Sequence, residues 1–277
     1  MTECEATLLA EAIPSRWLPG DAPGVLELEV EQGQLERAGE ALSAQLGEEL
    51  RQRGRETETK RWVPILLQPA FAAALCATLV LLFFHWTAGG AEHGGPLYEA
   101  GALVTSRLRE GEWWRVVTAA CLHADWPHAV GNAGFLLVLG WAANERFGSG
   151  VGLLLWLATA VIGFIVSLAA TDIDLTVGAS GGLFGLLGAA GGHALRWRPV
   201  SDFALRDKLR GGGAAVMLLA FTAFSREANI AAHVGGFAGG VLLGAALPRL
   251  TARPCAQLAA LLLTALALFV AWHLALR

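Results

Sequence analysis

In a chain of 277 residues, 55% hydrophobic and 16% charged side chains together with 34 glycines are too apolar a mixture for an ordinary soluble domain and indicate a protein of the bilayer. The net charge of -4 conceals 13 acidic against 6 basic residues in 1–60, which leaves about +3 on the remainder, and neither part has the basic concentration of a nucleic-acid-binding surface. Cys4, Cys76, Cys121 and Cys255 are scattered without Cys-x-x-Cys spacing, which excludes the usual redox and zinc units and reads as free thiols.

Residues 1–60 form a small N-terminal appendage. Leu35, Ala38, Leu42, Leu46 and Leu50 recur at helical spacing, while Gly20, Pro23 and Gly24 mark turns. The segment is too short to bury a large core. Met1-Thr2-Glu3-Cys4-Glu5 lacks the basic region and apolar run of a signal peptide, Thr2 excludes myristoylation, and no C-terminal Cys motif signals prenylation. Insertion is therefore expected to rely on internal spans.

Apolar stretches of about bilayer length follow at 64–86, 127–145, 150–170, 177–195, 212–225, 230–247 and 255–276. Basic residues in short loops stay on the cytoplasmic side. Thirteen Lys and Arg fall on one side of this arrangement: Arg51, Arg53, Arg55, Lys60, Arg61, Arg146, Arg196, Arg198, Arg206, Lys208, Arg210, Arg249 and Arg253. Only Arg107, Arg109, Arg115, Arg226 and Arg277 fall on the other, which predicts a cytoplasmic N-terminus and an external C-terminus. Trp62, Trp86, Trp197 and Trp272 lie near span ends, where amphipathic rings favour the interface.

Polar side chains in such spans are costly and are therefore functional candidates. One group is His123-Ala-Asp-Trp-Pro-His128-Ala-Val-Gly-Asn132, which puts His128 and Asn132 one helical turn apart. The others are Gly178-Ala-Ser180-Gly181-Gly-Leu-Phe184-Gly185 and Ala232-His233-Val-Gly-Gly236-Phe-Ala-Gly-Gly240. The separations Ser180 to Arg196 and His233 to Arg249 are both 16 residues, and Asn132 to Arg146 is 14. At ~1.5 Å per residue all three lie roughly 21–24 Å above the cytoplasmic boundary, at one level within a hydrocarbon core of about 30 Å.

Gly181/Gly185 and Gly236/Gly240/Gly244 repeat every four residues and let two helices approach closely. A serine hydroxyl needs an adjacent base, so Ser180 and His233 are expected to form a dyad. No carboxylate matches them in depth, and His233 is expected to be held by packing, with the Phe184 ring as a candidate. His128, Asn132 and the backbone N–H of Ser180 at a helix N-terminus supply donors for an oxyanion. His123 has Asp125 beside it but no third or fourth metal ligand, and is read as a structural hydrogen-bonding group. His85, His93, His193 and His273 sit near span ends, where a polar tip needs no function. Arg115 and Glu145 are read as structural ties between loops and helix ends.

At these residues the sequence resembles the rhomboid family of intramembrane serine proteases, with its Gly-x-Ser-Gly nucleophile, Ala-His segment followed by small residues, and upstream His-x-x-x-Asn. Gly178, Ser180 and Gly181 match the first, His233, Gly236 and Gly240 the second, and His128 and Asn132 the third. Trp114-Arg115 is similar to the family's first-loop element, and Glu145-Arg146-Phe-Gly148-Ser to its turn after the second helix.

The resemblance implies an all-α membrane protein with a six-helix rhomboid-like core over 62–250; the additional C-terminal transmembrane helix at 255–277 and the cytoplasmic appendage 1–60 fall outside it and are expected from the apolar pattern and the Lys and Arg distribution. It implies cleavage of transmembrane segments of other membrane proteins near their outer end; no cofactor or metal is expected, and the compact loops and lack of a targeting peptide lead to the expectation of a multi-pass protein of a bacterial cytoplasmic membrane. The fifth helix and its external loop are implied as a mobile gate, and the region from Ser201 to Arg210 lies on the wrong side to contribute. An intramembrane metalloprotease would want His-Glu-x-x-His, and the sequence has none. A transporter would show inverted repeats, also not found. A non-catalytic relative that only binds membrane helices is disfavoured by the presence of both Ser180 and His233.

Overall fold

The computed structural model describes residues 3–19, 26–58, 64, 67–91, 94–197, 229–247 and 253–277. It divides into two units, Met1–Val63 and Pro64–Arg277.

In the first unit, Leu26-Glu-Leu-Glu-Val30 alternates apolar and acidic residues, the period of a half-buried strand. This segment is β2 (Leu26–Val30), paired antiparallel with β1 (Ser15–Pro19) so that Arg16 faces Glu29, and the two side chains form an ion pair at 2.8 Å. Helix α1 (Glu3–Ala10) precedes the hairpin and α2 (Leu35–Glu58) follows it. Leu8, Ile13 and Ala38 make a small core with Leu28, Val30, Ala41 and Leu42 packed on it. The helical face expected from spacing is thus only partly right. Leu35 and Leu46 are exposed, because the hairpin and α1 cover only the face carrying Ala38, Ala41 and Leu42. The side chain of Leu50 and the turn residues Gly20, Pro23 and Gly24 lie outside the described residues.

The second unit is helical. Helix α3 (Pro69–Ala88) leads into a long connection that holds α4 (Pro96–Gly101), β3 (Leu103–Val104), α5 (Thr105–Arg109), α6 (Arg115–Thr118) and the turn Ala119–Cys121. Then come α7 (Trp126–Phe147), α8 (Ser149–Ala170), β4 (Leu175–Thr176), α9 (Ser180–Trp197), α10 (Ile230–Ala246) and α11 (Pro254–Ala275). Helices α3, α8 and α11 are long and apolar enough to cross a membrane, and α10 is a shorter apolar helix. Six of the seven expected spans are therefore helices. The one at 212–225, with the gate it was expected to form and the Ser201–Arg210 region, lies outside the described residues. The fourth span starts later than expected, at Ser180 rather than 177, because Leu175 and Thr176 are drawn into a strand against Val104 and Leu103.

Lipid tails are as apolar as leucine, so helices in a bilayer associate through close packing and polar contacts rather than water exclusion. Helices α9 and α10 meet backbone to backbone. A Cβ added at Gly236, Gly240 or Gly244 would run into the carbonyl oxygens of Gly181, Gly185 and Ala189 respectively, and one added at Gly188 or Gly192 into those of Phe237 and Val241. Helix α8 closes on the same pair, with Gly163 against the Ala232 carbonyl and Trp156 and Thr159 against Gly182 and Gly185.

The connection between α3 and α7 is tied down by a buried cation. Arg115 donates from Nη1 to the carbonyls of Glu99 at 2.9 Å and Ala102 at 2.6 Å, and its Nε bonds the Glu112 carboxylate at 2.6 Å. Glu145 is exposed. Trp272, in the last turn of α11, packs on Gly101 and Leu122, with its ring 5.0 Å from that of Phe84. At the other end of α11, Gln257 accepts from the N–H groups of Gly150 and Val151 and donates to the Phe147 carbonyl.

Candidate active site

Ser180 opens α9, and the residues before it are held from two sides. Thr105 N–H donates to the Asp174 carbonyl at 2.9 Å beside the β3–β4 pairing, and Gly178 N–H donates to the Ala119 carbonyl at 3.0 Å. Ala179 N–H then donates to Nε2 of His123 at 3.5 Å. Gly178 has φ +131°, where a side chain would be strained. A Cβ there would also come within 2.9 Å of the His128 ring. Glycine is required at this position by backbone conformation and by the nearness of His128 alike.

His233 lies one turn into α10. Asn229 caps that helix, its Oδ1 accepting from Ala232 N–H at 3.0 Å in the manner of an Asn N-cap. The Asn229 amide nitrogen donates to the Ser167 hydroxyl at 2.6 Å and to the Thr176 hydroxyl at 3.1 Å, linking α8, β4 and α10. With the start of α10 fixed in this way and the glycine seam below it, Ser180 Oγ and His233 Nε2 stand 2.8 Å apart. The Phe184 ring stacks on the His233 imidazole at 4.5 Å between centroids and 21° between planes. Among the described residues no carboxylate bonds His233.

The third element starts at Asp125, whose carboxylate caps α7 by accepting from His128 N–H at 2.7 Å. Asn132 follows His128 by one turn and is completely buried. Neither its Oδ1 nor its Nδ2 finds a partner among the described residues. A buried amide left in this way is expensive. Asn132 Nδ2 lies 3.7 Å from where a Gly178 Cβ would stand, on the same side as the His128 ring. Gly178, Ser180, Gly181, Phe184, His128, Asn132, His233 and Gly236 are therefore brought together as one cluster.

Two of the other histidines differ from expectation. His85 and His193 are not polar tips at the membrane surface but buried rings, 2% and 1% exposed. His193 bonds the Leu247 carbonyl at 3.0 Å and meets the Phe147 ring edge to face. His85 stands beside His123 and Trp126. His273 is exposed, as expected, and His93 lies outside the described residues. Reading of the sequence missed Asn229, although an Asn directly ahead of an apolar helical run is a capping signal. It also missed the link from His123 to Ala179, for which no sequence signal exists, since the two residues are far apart in the chain.

A helical unit with membrane-length spans and a serine hydrogen-bonded to a histidine defines a membrane protein of serine-hydrolase geometry. The family model described as Rhomboid domain matches residues 110–250, and the chain belongs to the rhomboid family. It is an integral membrane protein. Among its relatives are Rhomboid protease GluP of Bacillus subtilis (strain 168), 33% identical over 206 residues that cover 72% of this chain and 39% of that protein. Rhomboid-like protease 3 of Toxoplasma gondii is 31% identical over 144 residues, 52% of this chain and 55% of that protein. Putative rhomboid protease YdcA of Bacillus subtilis is 30% identical over 144 residues, 49% of this chain and 68% of that protein. The chain thus spans between about two fifths and about two thirds of the length of these curated relatives.

Proposed function

We propose that this chain is an intramembrane serine endopeptidase that hydrolyses peptide bonds in or near transmembrane segments of other membrane proteins through a Ser180–His233 dyad. The observation that carries the reading is the 2.8 Å contact between Ser180 Oγ and His233 Nε2. The relatives named as rhomboid proteases support it.

In this mechanism Ser180 gives its proton to His233 Nε2 as Oγ attacks the scissile carbonyl carbon. The tetrahedral oxyanion is met by Asn132 Nδ2, by the His128 imidazole and by the N–H of Ser180 at the head of α9. The peptide C–N bond then breaks, and His233 returns its proton to the leaving amine, giving an acyl-enzyme on Ser180. Water, deprotonated by His233, hydrolyses that ester and restores the serine. Phe184 keeps the imidazole aligned through both half-reactions. The Asn132 amide, without a partner among the described residues, supports its part, since an oxyanion would satisfy its donor.

The orientation follows from the Lys and Arg distribution, with the appendage 1–60 cytoplasmic and the serine entered from the external side. We place the protein in a bacterial cytoplasmic membrane, in line with its Bacillus relatives. Its partners are the lipid bilayer and transmembrane protein substrates.

The test is fluorophosphonate labelling of the purified full chain in detergent, with cleavage of a transmembrane reporter alongside. Wild type labels and cleaves, and Ser180→Ala and His233→Ala do neither. A well-folded wild type that fails to label overturns the dyad and favours helix binding without catalysis. Asn132→Ala retains labelling competence but loses about 2.7–4 kcal/mol of transition-state stabilisation, the effect of removing one oxyanion donor; an unchanged cleavage rate refutes its assigned role.

A further inference from the structure

Two buried imidazoles take no part in the steps above. His85 on α3 and His123 ahead of α7 are 2% and 0% exposed, and burial of a polar ring without a partner is unfavourable. They are not isolated from the cluster. The His123 ring lies 6.0 Å from His85 at 87° and 5.2 Å from His128 at 78°, and Trp126 meets His85 edge to face at 4.7 Å. At its other edge His123 takes the N–H of Ala179, the residue before Ser180.

We propose that His123 is a positioning residue that fixes the Gly178–Ala179 turn and so aims Ser180 and its backbone N–H, with His85, itself met by Trp126, standing beside its ring. The inference rests on the reading of Ser180 as nucleophile. The turn needs such an anchor because Gly178, at φ +131°, has more conformational freedom than any other residue would. Two consecutive N–H groups tie it to one connection, Gly178 to the Ala119 carbonyl and Ala179 to His123. The next N–H, that of Ser180, begins a helix and has no carbonyl one turn earlier to bond. Holding the peptide plane ahead of it fixes where that free donor points.

Accepting through Nε2 requires a neutral ring with its proton on Nδ1, since imidazolium has no acceptor. Burial, aided by the charges His128 and His85 carry when protonated, pushes the His123 imidazole well below its usual range. The ring is then neutral at neutral pH.

The experiment compares His123→Gln, whose amide oxygen reaches the place of Nε2, with His123→Met, of equal length but without a comparable acceptor. Both are made in the full chain and followed by labelling rate and by reporter kcat and KM. Met lowers the labelling rate and kcat by about 10- to 100-fold, the scale of a small misplacement of reacting groups, with KM unchanged. Gln recovers most of that loss. Equal rates for folded Met and wild type overturn the proposal, as does a folded Gln variant no better than Met. A nitrogen-15 NMR spectrum of the wild-type imidazoles decides it even where a variant does not fold: Nδ1-protonated His123 supports the role and Nε2-protonated His123 refutes it. Failure of wild type itself to label strikes the dyad and not this anchor, whose tautomer the spectrum still reads.

Discussion

Helices α10 and α11 are both apolar and of similar length, yet they relate to the rest of the unit in opposite ways. Helix α10 buries Ala232, His233, Gly235, Gly236, Gly239, Gly240 and Gly244; α11 buries only Ala260, Thr264 and Ala271. Along α11 the leucines at 258, 261, 262, 263 and 266 are exposed, as is Phe269. The difference lies in side-chain size. Leucine makes a surface that lipid wets as well as protein does, whereas glycine lets carbonyls of α9 touch the backbone of α10 and leaves no slack in their spacing. Where a hydroxyl and an imidazole must meet at 2.8 Å, the chain uses glycine; where a helix has only to cover a flank, leucine suffices.

The strongest way to break this contrast is to add a side chain on the seam. Gly240→Leu drives a Cβ into the Gly185 carbonyl, a backbone atom that cannot turn aside. Overpacking of this kind costs about 1–3 kcal/mol, occasionally more, and the upper end is expected here. A large fall in thermal midpoint with loss of labelling is the expected result. Retention of both would mean that α9 and α10 separate without harm, and the seam would not set the distance between Ser180 and His233.

The seam was legible because its pattern is local: Gly236, Gly240 and Gly244 announce a close approach by spacing alone. The meeting of Ser180 with His233 was legible as well, because equal separations from Arg196 and Arg249 put them at one depth. Contacts that depend on how the α3–α7 connection folds left no such trace. His85 and His193 stand near span ends, and nothing in their neighbours tells a surface ring from a buried one. The strand β4 hides because two residues are too few for a period to show, and it shifted the start of α9 by three residues. In the appendage, Leu26 to Val30 did alternate visibly as a strand does, but the helical spacing of Leu35 to Leu50 drew the reading toward a face that the hairpin covers only in part.

A smaller effect is expected at the top of α10. Asn229→Ala removes an N-cap, typically about 1 kcal/mol, together with its bonds to Ser167 and Thr176. The backbone bond from His233 N–H to the Asn229 carbonyl survives. The variant therefore folds, with a modestly lower midpoint and a labelling rate reduced severalfold because His233 sits less firmly over Ser180. Asn229→Asp keeps the cap acceptor but cannot donate to the two hydroxyls, so comparing the pair separates capping from cross-linking. Wild-type labelling in Asn229→Ala would show that the glycine seam alone holds His233.

On α11 the effects should be smallest, and they should divide by chemistry. Gln257→Leu leaves the N–H groups of Gly150 and Val151 and the Phe147 carbonyl without their partner. Hydrogen bonds contribute about 0.5–1.5 kcal/mol net each, so a measurable drop in midpoint is expected with labelling unchanged, since none of these groups reaches the serine. Leu262→Ala, at a side chain 58% exposed, should change stability by no more than about 0.5 kcal/mol, as surface substitutions do. If Leu262→Ala instead cost as much as Gln257→Leu, the leucine face would be packed in the bilayer against something firmer than lipid. The contrast between the two helices would then be one of partner rather than of precision.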